Sequence, residues 1–218
     1  MSEIYKVLYH KGGNQMIKNP YPGKFIVLEG LDGSGQDTQG VLLKVLLSFA
    51  DYPVFLSNEP TDGQFGRRIR RILRKEEVIE DPLEFQKLYV QDREEDQKLL
   101  IVPTLKKGTN LILVRYALST IAFGGINVDM DILKELNKGF IAPDLIILLN
   151  ASPEVCLERI GKRSQGFEFF ETNQKLTKVR ENYLSLVDEF GIRVVNGELK
   201  IEEVFELTAY LVKEVMTL

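Results

Sequence analysis

Residues 25–39 read FIVLEGLDGSGQDTQ. The apolar run FIVLE ends at a glycine, which suits a buried strand running into a turn. Beyond the turn, from Gly35 to Ala50, apolar residues recur at 41, 42, 45, 46 and 49, which is helical spacing. A strand, a glycine-rich turn and a helix make a ring of backbone N–H groups facing one point. The helix N-terminus adds about half a positive charge there. From Gly30 to Asp37 the frame of the phosphate loop, G-x-x-x-x-G-K-[ST], is intact. Its side chains are not. Gln36 stands where the lysine belongs and Asp37 where the hydroxyl belongs, with Thr38 one position late. Gln36 offers a neutral hydrogen bond. Asp37 offers a carboxylate, a good ligand for Mg²⁺. The alternative is a glycine turn that caps a helix, with Asp37 as its first-turn acid.

The same alternation continues along the chain. PVFLS (53–57), NLILV (110–114), DLIILL (144–149) and GIRVV (191–195) read as further strands. Between them lie a long helical region at about 64–107, a turn into a helix at RYALSTIAF, a helix at SPEVCLERI and a charged helix at about 171–190. IEEVFELTAYLVKEVM closes the chain as an amphipathic helix. Continuous apolar strands separated by helices predict an α/β fold with a parallel sheet covered on both faces. Residues 1–23, polar and rich in Gly, Asn, Pro and Lys, read as an N-terminal extension, and residues 24–218 as one domain. Ligands of such sheets sit at the carboxyl ends of strands. GLDGSG, NEPTDG and RYALST all fall there.

Composition narrows the chemistry. One cysteine, Cys156, and one histidine, His10, in 218 residues make an intrachain disulfide impossible and histidine chemistry or a His/Cys metal site unexpected. The net charge of −4 gives no basic field for nucleic acid. RRIRRILRK (67–75) spreads its charges around a helix and is followed by acids, so it reads as a solvated face with one functional arginine, Arg70. No secretory leader is evident, and no run approaches the roughly 18 apolar residues of a membrane span. A cytoplasmic protein is expected.

FIVLEGLDGSGQDTQ, NEPTDGQFGRRIR, LYVQDREED, LVRYALSTIAFGG, PDLIILLNASPEVCLERI and ENYLSL, in that order, resemble the thymidylate kinase family over about residues 24–215. The resemblance implies the P-loop nucleoside-monophosphate kinase fold, a five-stranded parallel sheet with helices on both faces and a lid. It implies transfer of the γ-phosphoryl of ATP to dTMP with Mg²⁺, in a homodimer. Gly30, Gly33, Ser34, Gly35, Gln36, Asp37 and Thr38 match the donor-phosphate loop. Asp32 matches the acid that approaches the acceptor's 3′-hydroxyl, and Glu59 and Pro60 match the Glu-Pro of the acceptor loop. Arg70 and Arg115 match arginines at the acceptor phosphate. Tyr89 falls where a ring stacks on the base, Arg93 where an arginine hydrogen-bonds it, and Thr120 and Phe123 where the base pocket is lined. Each has a plainer alternative: Tyr89, Thr120 and Phe123 as packing, Arg93 as a surface ion pair among the acids at 92, 94 and 95.

The departures gather on the donor side. Besides Gln36 and Asp37, Val114 replaces the aspartate before the Arg-Tyr pair, and Asn150 replaces an acid. Phe169 of EFFE (168–171) stands where the lid has an arginine. An acid thus reappears at 37 as one disappears at 114, which makes Asp37 the candidate Mg²⁺ ligand, and Lys162 and Arg163 stay near the lid. Gln36, Asp37, Asp32 and Arg115 are the candidate catalytic residues. Three functions follow: a dTMP kinase with a rearranged donor site, a pseudokinase that binds the nucleotide without turning it over, or a kinase for another monophosphate.

Overall fold

The computed structural model describes residues 16–162 and 173–216. Seven strands are formed among them: β1 (Ile17–Lys18), β2 (Phe25–Gly30), β3 (Val54–Asn58), β4 (Asn110–Val114), β5 (Ile141–Ala142), β6 (Leu145–Asn150) and β7 (Arg193–Asn196). Five build the central sheet in the order β3-β4-β2-β6-β7, with every pair parallel. The expected five-stranded parallel sheet is therefore present. β2 lies at its centre, with Leu28 level with Val114 on one side and Ile147 on the other. The chain leaves β2 toward β4 and β3, then returns to β6 and β7 on the opposite side. The glycine loop after β2 thus sits at the switch point where α/β sheets bind ligands.

Helices cover both faces. On one lie α1 (Gln36–Phe49) and α10 (Ile201–Met216), which bury Leu43 and Leu47 against Val204 and Val212. On the other lie α3 (Pro82–Asp96), α5 (Ala117–Gly124) and α8 (Asn173–Ser185), packed through Phe85, Leu88, Ile121, Val179 and Tyr183. The buried stripe of α1 differs from the apolar positions that mark it in sequence. Val41, Val45 and Phe49 are exposed, and Gly40, Leu43 and Leu47 face the sheet. Gly40 explains the rotation. A Cβ there would lie 3.1 Å from Leu56 and 3.3 Å from Val114, so the glycine lets α1 approach the sheet closely.

The long helical region divides into α2 (Gln64–Leu73), α3, a π-turn at Gln97–Ile101 and α4 (Val102–Lys106). Asp81 caps α3 by accepting from Leu83 N, and Pro82 takes the first helical position. The π-turn precedes Pro103, which has no N–H for a regular helical bond. α6 (Met130–Leu136) was not among the expected helices; it is capped by Asp129. α7 (Pro153–Lys162) begins at the expected proline. The expected helix at 171–190 is α8 followed by the short α9 (Val187–Phe190), which ends at Gly191 in the left-handed region. Residues 16–23, expected in the extension, run along the domain. β1 pairs with β5, and Asn19 Nδ2 donates to Asp144 Oδ2 at 2.7 Å. Residues 1–15, the lid stretch EFFE with Phe169, and Arg163 lie outside the described residues, as does the side chain of Lys162. No helix of the described residues is long and apolar enough to cross a membrane.

Candidate active site

Two cavities open side by side at the carboxyl ends of β2, β3 and β4. They share Asp32, Pro60 and Arg115. The first encloses roughly 490 Å³, partly open to solvent, and is completed by Leu73, Gln86, Tyr89, Ser119, Thr120 and Phe123. The second lies over the glycine loop and is lined by Gly33, Gly35, Gln36, Asp37, Thr38, Asn58, Glu59 and Val114.

The loop keeps the backbone geometry its sequence promises. Gly33 and Gly35 take φ of 84° and 104°. A Cβ on Gly33 would lie 2.6 Å from Cys156 O, whereas one on Gly35 would meet nothing within 4 Å, which leaves that side of the loop open to a ligand. Gln36 folds back over the loop and donates from Nε2 to Gly30 O at 3.1 Å, buried. Asp37 is exposed at the cavity, on the first turn of α1. Ser34 does not reach this cavity. It is buried beneath the loop, its Oγ without a hydrogen-bond partner. From α7, Arg159 Nη1 donates to Gly197 O at 2.8 Å and approaches Gly33 O at 3.5 Å, tying the loop to the turn after β7.

Arg115 stands where the cavities meet, and the residues around it explain why. Its φ is 67°, a conformation that non-glycine residues adopt chiefly where the surroundings enforce it. Its N–H donates to Leu28 O, and its Nη2 pairs with Asp32 Oδ1 at 2.7 Å. The guanidinium lies 5.0 Å from the centre of the Phe123 ring. Burial opposes its charge, but Asp32, Tyr183 and Glu29 outweigh burial and raise its pKa. The turn that holds it is pinned by Glu29, fully buried on β2. Glu29 Oε1 accepts from the N–H groups of Tyr116 and Ser119, and Oε2 accepts from the Ser119 and Tyr183 hydroxyls at 2.6 and 2.9 Å. Burial raises the Glu29 pKa against these bonds.

The other expected acceptor residues divide into wall and support. Asp32, Pro60, Tyr89, Arg115, Thr120 and Phe123 line the first cavity. Tyr89 packs edge-on to Phe85, and Phe123 edge-on to Tyr183. Arg93 and Arg70 stand behind the wall. Arg93 is 1% exposed and no surface ion pair. It donates to Glu59 Oε2 at 2.6 and 3.0 Å, to Thr120 Oγ1 at 3.1 Å and to Asn137, between the Tyr116 and Phe140 rings. Arg70 donates to the carbonyls of Pro60 and Thr61, bracing the acceptor loop across the cis Glu59–Pro60 peptide. The remaining arginines of the basic run behave as a solvated face, with Arg68 and Arg71 both paired to Glu77. Gln86, Leu73, Ser119 and Asn58 also line the cavities; Asn58 and Ser119 lie within NEPTDG and RYALST without a role of their own there, and Gln86 and Leu73 lie outside the stretches that carry the resemblance. Gln86 carried a signal: it precedes Tyr89 by three residues and Arg93 by seven, on one face of α3.

Oxygen ligands for Mg²⁺ are present around the loop. Asp37, Thr38, Asn58 and Glu59 line the same cavity, and Glu59 Oε1 is buried with no hydrogen-bond partner. Among the described residues no cluster of three or more acids, histidines or cysteines is arranged around an ion. Mg²⁺ is usually held by one or two carboxylates together with substrate phosphates. Asn150 accepts from Arg180 Nε at 2.7 Å instead of offering a charge.

A glycine loop at the switch point of a five-stranded parallel sheet, beside a second cavity joined to it by a half-buried arginine, defines a P-loop nucleoside-monophosphate kinase architecture. The thymidylate kinase family profile matches residues 28–207. The probable thymidylate kinase of Pyrococcus horikoshii is 38% identical over 197 residues, which cover 88% of this chain and 96% of that protein. The thymidylate kinase of Leptospira interrogans is 36% identical over 187 residues, covering 82% and 88%. The chain belongs to the thymidylate kinase family.

Proposed function

We propose that this protein transfers the γ-phosphoryl group of ATP to dTMP, giving dTDP and ADP. The observation that carries this reading is Arg115, half-buried and ion-paired to Asp32 where the two cavities meet. Phosphoryl transfer needs two phosphates brought together and their charge offset, with little covalent work by the protein.

In this reading the first cavity takes dTMP. Its base lies among Tyr89, Thr120 and Phe123, and its phosphate meets Arg115, with Arg70 bracing the loop beneath. Asp32 turns toward the sugar 3′-hydroxyl. The glycine loop cradles the ATP phosphates through backbone N–H groups, and the neutral Gln36 amide keeps the loop closed on Gly30 O. Mg²⁺, when bound with ATP, would offset phosphate charge, and Asp37 would hold it. An oxygen of the dTMP phosphate attacks the γ-phosphorus, the bond to the bridging oxygen breaks, and ADP leaves. Arg115 holds the acceptor phosphate against repulsion throughout. The family resemblance extends this reading to a cytoplasmic homodimer.

A second reading has one observation in its favour. Arg115 is the one cation among the described residues that line the loop cavity, and it is already paired. The protein would then bind dTMP without turning it over. Chromatography of purified protein incubated with ATP, Mg²⁺ and dTMP decides between them. Formation of dTDP with an equal amount of ADP supports the kinase. Tight dTMP binding with neither product supports the second reading.

A further inference from the structure

We propose that Gln86 reads the hydrogen-bonding edge of the acceptor's pyrimidine ring. The inference rests on the reading above, that the first cavity takes a pyrimidine monophosphate.

Gln86 lies on α3, one turn before Tyr89, and lines the first cavity. It is 4% exposed, and its Oε1 is buried without any hydrogen-bond partner. A buried amide oxygen left unpaired costs free energy, so this position would be better filled by leucine if packing were its task. Packing does not demand an amide. Behind Gln86 lies another cavity, lined largely by apolar side chains including Ile72, Val78 and Ile79. The amide stands as the polar partition between that cavity and the nucleotide site.

Its position is set from the opposite wall. A Cβ on Gly124 would lie 2.8 Å from Gln86 Cδ and 2.9 Å from its Cγ, so the glycine makes room for the side chain against the end of α5. Thr120, which lines the cavity, is one helical turn earlier on α5. Arg93, the other group expected at the base, is already bound to Glu59, Asn137 and Thr120. The free polar amide on this wall is therefore that of Gln86. A carboxamide presents an acceptor beside a donor. The N3–H and O4 of thymine present a donor beside an acceptor, so the two groups are complementary, and turning the amide toward the base would give its buried oxygen the partner it lacks. A site built this way discriminates by hydrogen bonding, which rejects mismatched ligands more sharply than apolar fit does.

Calorimetry with dTMP and with 2-deoxyribose 5-phosphate, which lacks the base, tests the assignment in the native protein, Gln86→Leu and Gln86→Glu. Both variants are expected to weaken dTMP about tenfold or more, leucine for want of either bond and glutamate for want of a donor to O4. Both should bind the sugar phosphate within twofold of the native protein, which also shows that they are folded. Unchanged dTMP affinity in Gln86→Leu would overturn the proposal while leaving the acceptor reading intact. Equal losses for the two ligands would assign Gln86 a structural role and overturn it as well. A native protein that binds dTMP no better than the sugar phosphate would remove the acceptor reading and this inference together.

Discussion

The cavity read as the acceptor site is shaped by side chains, and the glycine loop read as the donor site largely by backbone. Around the first cavity, Glu29 fixes the turn of Arg115 with three hydrogen bonds and takes a fourth from Tyr183, and Arg93 joins Glu59 to Thr120 inside the protein. Over the glycine loop, the geometry comes from Gly33 and Gly35, the turn to α1, an amide bond from Gln36 and the tie from Arg159. The contrast explains where the sequence has drifted. A phosphate held by N–H groups tolerates exchange of nearby side chains, because the backbone supplies the ligands whatever the side chain is. A base and sugar held by side chains tolerate little.

The largest effect expected from this contrast is on stability. Arg93→Ala leaves Glu59 buried without its partner, and loss of one member of such a pair typically costs about 3–5 kcal/mol. Thermal melting should fall by roughly 10 °C or more, taking about 2–4 °C per kcal/mol for a chain of this size. A shift of only a degree or two would mean that the acceptor wall does not depend on this network. Next comes Arg115→Ala, which removes the cation between the cavities. The turnover of dTMP should drop by about 10²–10³, and dTMP binding should weaken in calorimetry. A variant that kept its rate would move the centre of the chemistry elsewhere.

On the donor side, Asp37→Ala should raise the Mg²⁺ concentration for half-maximal activity about tenfold and leave dTMP affinity within twofold. An unchanged Mg²⁺ requirement would remove Asp37 from the metal site. The smallest effect is set by pH. Burial and the charge of Asp92 push the Asp96 carboxyl up to about 7, with Arg93 opposing them. Between its unfolded value of 3.8 and about 7, the folded state binds more protons than the unfolded state. Its contribution to stability is therefore complete below the lower value and lost as pH rises through 7. Melting temperature should decline between pH 5 and 8 by on the order of a few degrees, and Asp96→Asn should reduce that slope.

Much of this was legible in residues 25–39. A continuous apolar run with a glycine turn and a helical repeat gave β2, the loop and α1, and four more apolar runs gave the rest of the sheet. The burial of α1 was not legible, because Val41, Val45 and Phe49 carry the apolar pattern while Gly40 decides which side meets the sheet. β1 and β5, two residues each, have no periodicity to read. Arg93 looked in sequence like either a base contact or a surface pair, since neighbouring acids at 92, 94 and 95 suggest solvent. Its burial depends on Glu59 and Asn137, which are 34 and 44 residues away. Gln86 was hidden for the opposite reason: its meaning lies in a hydrogen bond it does not make.

The central claim is that a glycine loop without its lysine still serves phosphoryl transfer through backbone ligands. The most direct measurement is the rate of dTDP formation from ATP, Mg²⁺ and dTMP by the native protein beside Gln36→Lys. Both are expected to make dTDP, with rates within about tenfold, less than the usual cost of losing one preorganised donor. A native protein that makes none, beside a Gln36→Lys variant that does, would contradict it and show that the missing cation is required.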